Sequence, residues 1–200
     1  MVCREAGHCI KKAHRIQRGD QSARVMAVGI APSVAARKAK KAFAGSSFIR
    51  LAKWFAAAGF PATETQLRSS IYLTSLNKCA VIPDTPANRR ILWMRCQQFL
   101  WRQIETVRPE LILILGKEPA DLILDDRILR SEVALGKSWT TQELFAEDLF
   151  PATTVPSTWL ILPHPSGLSR TMNDKVISGR IISSLRKHLD LIHFSVTETL

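Results

Sequence analysis

Residues 110–115 read Glu-Leu-Ile-Leu-Ile-Leu, five apolar residues in a row with no polar alternate. A strand of this kind has no face to give to water. It must be covered on both sides, which is the condition of a parallel strand inside an α/β sheet. Three further segments fit the same sheet: 24–29 (Arg-Val-Met-Ala-Val-Gly), 70–76, and 159–162 (Trp-Leu-Ile-Leu). Helical spacing fills the intervals. Phe48, Leu51, Ala52, Phe55 and Ala58 mark a helix over 46–58, with Gly59 as its stop signal. A long amphipathic helix is predicted over 87–107, carrying Ile91, Met94, Phe99 and Ile104 and ending before Pro109. A short helix over 118–124 and a C-terminal helix over 174–191 follow. Residues 129–156 contain Gly136, Pro151 and Pro156 and read as a loop or hairpin. Strands alternating with helices predict an α/β fold of three layers, α/β/α, around a small, mainly parallel sheet of four strands. One domain is expected over 1–200, with 1–23 as a basic, cysteine-containing N-terminal segment.

The charge is concentrated at one end. Of the net +11, residues 1–53 carry 12 Lys/Arg against 2 Asp/Glu, whereas the remaining 147 residues hold 16 against 15. A solvated basic face is the plain reading of a short run. An asymmetry of this size favours a polyanionic partner, most simply nucleic acid. The cluster Arg37-Lys38-Ala39-Lys40-Lys41 lacks the Trp/Leu face of a membrane-surface helix. No window approaches a membrane span, and no apolar leader opens the chain. A cytoplasmic, bacterial-type, nucleoid-associated monomer is the expectation.

The four cysteines are Cys3, Cys9, Cys79 and Cys96. Without a secretory leader, disulfides are not expected. Two pairs of thiols leave open a metal or iron–sulfur site, or four unrelated buried thiols.

Every predicted strand runs into residues that can do chemistry. The first ends in Gly29-Ile30-Ala31-Pro32-Ser33, the second in Ser75-Leu76-Asn77-Lys78-Cys79, the third at Gly116-Lys117 and the fourth at His164-Pro165-Ser166-Gly167-Leu168-Ser169-Arg170. In open α/β sheets, ligands bind beyond the carboxyl ends of the strands. Taken singly, each loop reads equally well as an ordinary turn.

Their combination resembles the uracil-DNA glycosylase superfamily, and most of all its iron–sulfur branches, families four and five. Gly29-Ile30-Ala31-Pro32 is similar to the family's first motif, and Phe43-Ala44-Gly45 to the Phe-x-Gly segment behind it. Tyr72 to Cys79 is similar to the strand ending in Lys-Cys. His164-Pro165-Ser166 with Leu168 and Arg170 is similar to the last motif. The match runs from about Cys3 to His188.

The resemblance implies hydrolysis of the bond between uracil and deoxyribose after the base is flipped out of the stack, at a cost of about a few kcal/mol. His164 would donate to the uracil O2 as negative charge develops there. Gly29, Ile30, Ala31, Phe43, Ser75 and Asn77 would form the base site, with Phe43 stacking on the base, although a core aromatic is a rival reading. Arg37, Lys41, Ser166 and Arg170 would hold DNA. Leu168 would wedge into the vacated stack, unless it is a loop anchor.

Two departures stand out. Where one branch carries a water-activating Asp and another a Glu, this chain has Ala31 and Ile30, so the motif holds no carboxylate. The Asn that reads the uracil edge falls at Ser75, and Asn77, two residues on and so on the same strand face, is the substitute. Basic surroundings are expected to keep His164 neutral. Cys3, Cys9, Cys79 and Cys96 would hold a structural [4Fe–4S] cluster, although the proximal pair is spaced more widely than the family's Cys-x-x-Cys. Zinc, with His8 or His14, or no metal at all, is the alternative. An inactive DNA-binding relative and a small-molecule enzyme on the same scaffold are the rival functions.

Overall fold

The computed structural model describes residues 19–79, 81, 84–124, 135–145, 155–165 and 171–196. The sheet has five strands, one more than the sequence reading: β1 (Val25–Gly29), β2 (Ile71–Ser75), β3 (Leu111–Leu115), β4 (Ser138–Thr140) and β5 (Thr158–Leu162), in the order β2-β1-β3-β5-β4. β1, β2, β3 and β5 are parallel. The added strand, β4, runs antiparallel to β5 at the edge, with Trp139 opposite Trp159. It lies inside the stretch read as irregular, and three residues are too few to show a strand period.

The apolar runs behave as their composition requires. Along β3 every residue is buried, Leu111, Leu113 and Leu115 into one core and Ile112 and Ile114 into the other. On the first side lie α2 (Ser46–Ala57), α3 (Glu64–Ser70) and α7 (Lys175–Leu191), which bring Phe48, Leu51, Phe55, Leu67, Ile181 and Leu185 to the sheet. On the second lie α4 (Pro86–Val107) and α5 (Lys117–Ile123), with Trp93, Leu100, Ile104, Ala120 and Ile123. This is the three-layer α/β/α arrangement.

The buried face of α4 differs from the predicted one. Leu92, Trp93, Cys96, Leu100, Ile104 and Val107 face the protein, while Met94 is 67% and Ile91 40% exposed. Apolar residues are present all around this helix, so more than one phase fits a 3.6-residue period. Helices α1 (Val34–Ala39), α3 and α6 (Thr141–Leu144), and a 3-10 turn at Thr171–Asn173, are further additions to the sequence reading. Two of them carry a sequence signal: Thr63 with Gln66, and Thr140 with Glu143, form capping boxes that open α3 and α6.

No described helix is long and apolar enough to cross a membrane.

Candidate base-binding site

The register of the sheet assembles the site. Gly29 pairs with Ser75, so β1 and β2 stop level. Beyond them the chains stay together for two more residues, with Leu76 N–H donating to Gly29 O at 2.8 Å and Asn77 N–H to Ile30 O at 2.9 Å. Leu115 pairs with Leu162 across β3 and β5, which brings His164 to the same edge. There Gly116, at φ +112°, leaves room for it: a Cβ on Gly116 would stand 3.2 Å from the His164 Cβ. The chain leaves β1 toward β2 on one side and reaches β3 on the other, so this edge is a topological switch point, where an open α/β sheet has a crevice.

The crevice is a cavity of about 90 Å³ bordered by Gly29, Ile30, Ala31, Phe43, Ser75, Asn77 and His164, with Ser33, Ser47 and Lys78 among its other walls. One water needs roughly 10–15 Å³, so the space takes a small ring rather than a single solvent molecule. All six residues predicted for the base site and the predicted catalytic His164 therefore meet in one cavity.

Phe43 is both a wall and a core residue. It packs against the first core and lies edge-on to Gly29, its Cζ 2.8 Å from where a Cβ on Gly29 would stand. Its backbone is left-handed, φ +51°, a conformation that costs an L-residue about 1–2 kcal/mol.

Asn77 is fully buried. Its Nδ2 donates to Arg89 O at 3.1 Å, while Oδ1 is buried without a hydrogen-bond partner among the described residues. A buried amide oxygen with no partner among the described residues is an acceptor awaiting a donor. β2 ends at Ser75, so strand alternation does not relate Asn77 to Ser75; the two share the cavity because the chain continues along β1.

His164 is half-buried, and burial pushes its imidazole below its ordinary value of 6.5. The neutral form predicted from sequence is thus favoured, but for a different reason: desolvation is the cause, and the charge that opposes it is the carboxylate of Glu118 in the first turn of α5. Glu118 accepts from Arg89 Nε at 2.5 Å, and Arg89 Nη1 bonds Asp84 at 2.6 Å. Lys78 Nζ is set among Ser75 O (2.6 Å), Gln103 Oε1 (2.7 Å) and Thr74 Oγ1 (3.1 Å), a fixed cation in the cavity wall. Glu118 and Lys78 have no role in the sequence reading. Their importance lies in neighbours that are 29 and 25 residues away in the chain.

The predicted phosphate contacts are more scattered. Arg37, on α1, is half-buried, and its Nε is buried without a partner among the described residues. Lys41 is exposed and borders a second, polar groove with Asp20, Glu64 and Arg68. Neither borders the base-sized cavity. Ser166, Leu168 and Arg170 lie outside the described residues.

Cys79 is half-buried behind Lys78, and Cys96 is buried on α4. Arg89, Cys96 and Gln103 are spaced by seven residues and so stand on one stripe of that helix. Arg89 and Gln103 hold Asn77 and Lys78, so the stripe carrying Cys96 faces the segment that carries Cys79. The two thiols thus belong to one region of the fold. Cys3 and Cys9, like His8 and His14, lie outside the described residues, and no group of three metal ligands forms among the described ones.

At its switch point the α/β sheet thus carries a ring-sized pocket with a phenyl and an imidazole in its wall. The chain belongs to the uracil DNA glycosylase superfamily, whose family model matches residues 16–183. The superfamily is, in general terms, one of DNA glycosylases, hydrolases of DNA repair that act on DNA.

Proposed function

We propose that the protein excises uracil, or a closely related deaminated base, from DNA by flipping it into the cavity beside Phe43. The observation that carries this reading is the meeting of Phe43, Asn77 and His164 around one ring-sized space. The phenyl would stack on the base, a contact worth about 1–3 kcal/mol, and its bulk would exclude a thymine methyl. The Asn77 Oδ1, without a partner among the described residues, suits a base edge that presents an N–H, as uracil does at N3.

Ile30 and Ala31 put no carboxylate beside the glycosidic bond. Bond breaking would therefore run ahead of water attack. A neutral His164 N–H would donate to O2 as the uracil anion forms, and the charge of Lys78 in the cavity wall would favour that anion. Leu168 would fill the gap left in the stack, with Ser166, Arg170, Arg37 and Lys41 on the phosphates. The enzyme would act as a monomer in the nucleoid.

A [4Fe–4S] cluster held by Cys3, Cys9, Cys79 and Cys96 would be structural, tying the N-terminal segment to the chain after β2. The soft thiolates of Cys79 and Cys96 on facing segments support it. Zinc is the alternative occupant.

Ile30 and Ser75 favour a second reading, a DNA-binding relative that has lost the reaction. Oligonucleotides carrying single uracil, hypoxanthine or xanthine residues, treated with alkali after incubation, separate the two. Strand scission at uracil supports the first reading. DNA binding without scission at any of the three bases establishes the second.

A further inference from the structure

Phe43 holds a backbone conformation that a phenylalanine does not choose, and such residues persist only where their surroundings over-determine them. What determines this one comes from outside the cavity. Arg68, on α3, sends Nη1 to Ala42 O at 2.7 Å and Nη2 to Phe43 O at 3.4 Å. Its Nε donates to Glu64 Oε1 at 2.8 Å, and its guanidinium lies over the Phe48 ring at 3.8 Å from the centroid. The side chain is only 14% exposed. The fork is thus fixed on two sides, by Glu64 of its own helix and by Phe48 of α2, and its Nη donors grip the carbonyls of Ala42 and Phe43.

We propose that Arg68 is the positioning residue of the base pocket. It fixes the 42–43 backbone so that the phenyl stands against Gly29 and forms the cavity wall. A lysine cannot do this, because a single ammonium lacks the planar fork that reaches both carbonyls and Glu64 together. The consequence for catalysis rests on the reading of Phe43 as the wall against which the base stacks; the consequence for Phe43 itself does not.

The test has two parts, both on the full-length protein. The ring ¹³C–¹H signals of Phe43 are assigned by their loss in Phe43→Leu and then followed in Arg68→Gln. They are expected to shift or broaden while the rest of the spectrum stays folded. Single-turnover cleavage of a uracil oligonucleotide is then measured for Arg68→Gln with and without Phe43→Leu. A misplaced group costs up to about a hundredfold in rate, so a loss of about tenfold or more is expected with Phe43 present. Less than about twofold is expected in the Phe43→Leu background, where the coupled partner is gone.

Equal losses in both backgrounds, or an unmoved Phe43 signal, overturn the proposal. If the wild-type protein cleaves no uracil substrate, the functional reading fails, and the ring signals still decide the role of Arg68. Should Arg68→Gln not fold, Arg68→Lys keeps the charge and loses the fork, and the same two readings apply to it.

Discussion

Asn77 donates its amide N–H to the carbonyl of Arg89, and this single bond decides which end of the amide is left over. A carbonyl only accepts, so the nitrogen must face it and the oxygen must turn away, buried and without a partner among the described residues. Asn77→Ala removes the acceptor and should lower single-turnover cleavage of uracil DNA by about 1–3 kcal/mol of transition-state stabilisation, the usual cost of losing a buried hydrogen bond. Asn77→Asp should do worse, because a carboxylate would face the Arg89 carbonyl. The comparison needs thermal melting alongside the rates. A rate unchanged in Asn77→Ala would remove this residue from base recognition.

The contact between Gly29 and the Phe43 ring makes a second case. Gly29→Ala places a methyl group 2.8 Å from the phenyl Cζ, inside van der Waals contact. The ring must move away from β1 and disturb the wall that it forms. Cleavage should fall by at least about tenfold with a melting temperature close to wild type, since Gly29 itself lies at the end of β1. A double substitution with Phe43→Leu should recover part of the loss.

Burial holds the His164 pKa down and the Glu118 carboxylate opposes it. The imidazole therefore stays neutral as pH falls through 6.5 and gains its proton only at more acid pH. An NMR titration of the His164 ring should show this midpoint, and the cleavage rate should remain level across the same interval. Glu118→Gln removes the charge that favours imidazolium, so the midpoint should move further to the acid side. A shift toward higher pH would contradict the assignment.

His164→Ala should reduce cleavage by about 10²–10³-fold, the usual effect of losing one donor to a developing anion, while affinity for uracil DNA stays within about twofold because a transition-state interaction adds little to ground-state binding. Filter binding and single-turnover kinetics on the same preparation check both statements.

Protein purified without oxygen should be brown if the thiolates of Cys79 and Cys96 hold an iron–sulfur cluster. Cys96→Ser should bleach it and lower the melting temperature. A colourless wild-type protein with one bound zinc would assign the site to the other metal.

The parts of the fold legible in the sequence are those where burial leaves a pattern in the chain itself. β3 is covered on both faces and so spells a run of leucine and isoleucine. β4 is three residues long with Ser138 and Thr140 exposed, and nothing in Ser-Trp-Thr distinguishes it from a turn. The buried face of α4 is not legible in the chain because Ile91 and Met94 satisfy a helical period as well as Leu92, Trp93 and Cys96 do.

The same division runs through the site. Gly29, Ser75 and His164 sit at strand ends and can be found by following strands to their last residues. Arg68, Lys78 and Glu118 act on neighbours that only the folded chain supplies. The low proton affinity of His164 was anticipated in direction but not in cause, since burial cannot be read from local charge.

The strand order, which parts at β1, sets where the cavity lies, while the side chains of its wall set what it can hold. The scaffold and the reaction are therefore separately adjustable. Exchanges such as those at Ile30, Ala31 and Ser75 can retune which lesion is accepted without reopening the question of whether the chain folds, so a lineage built on this sheet can explore new substrates at little risk to its stability.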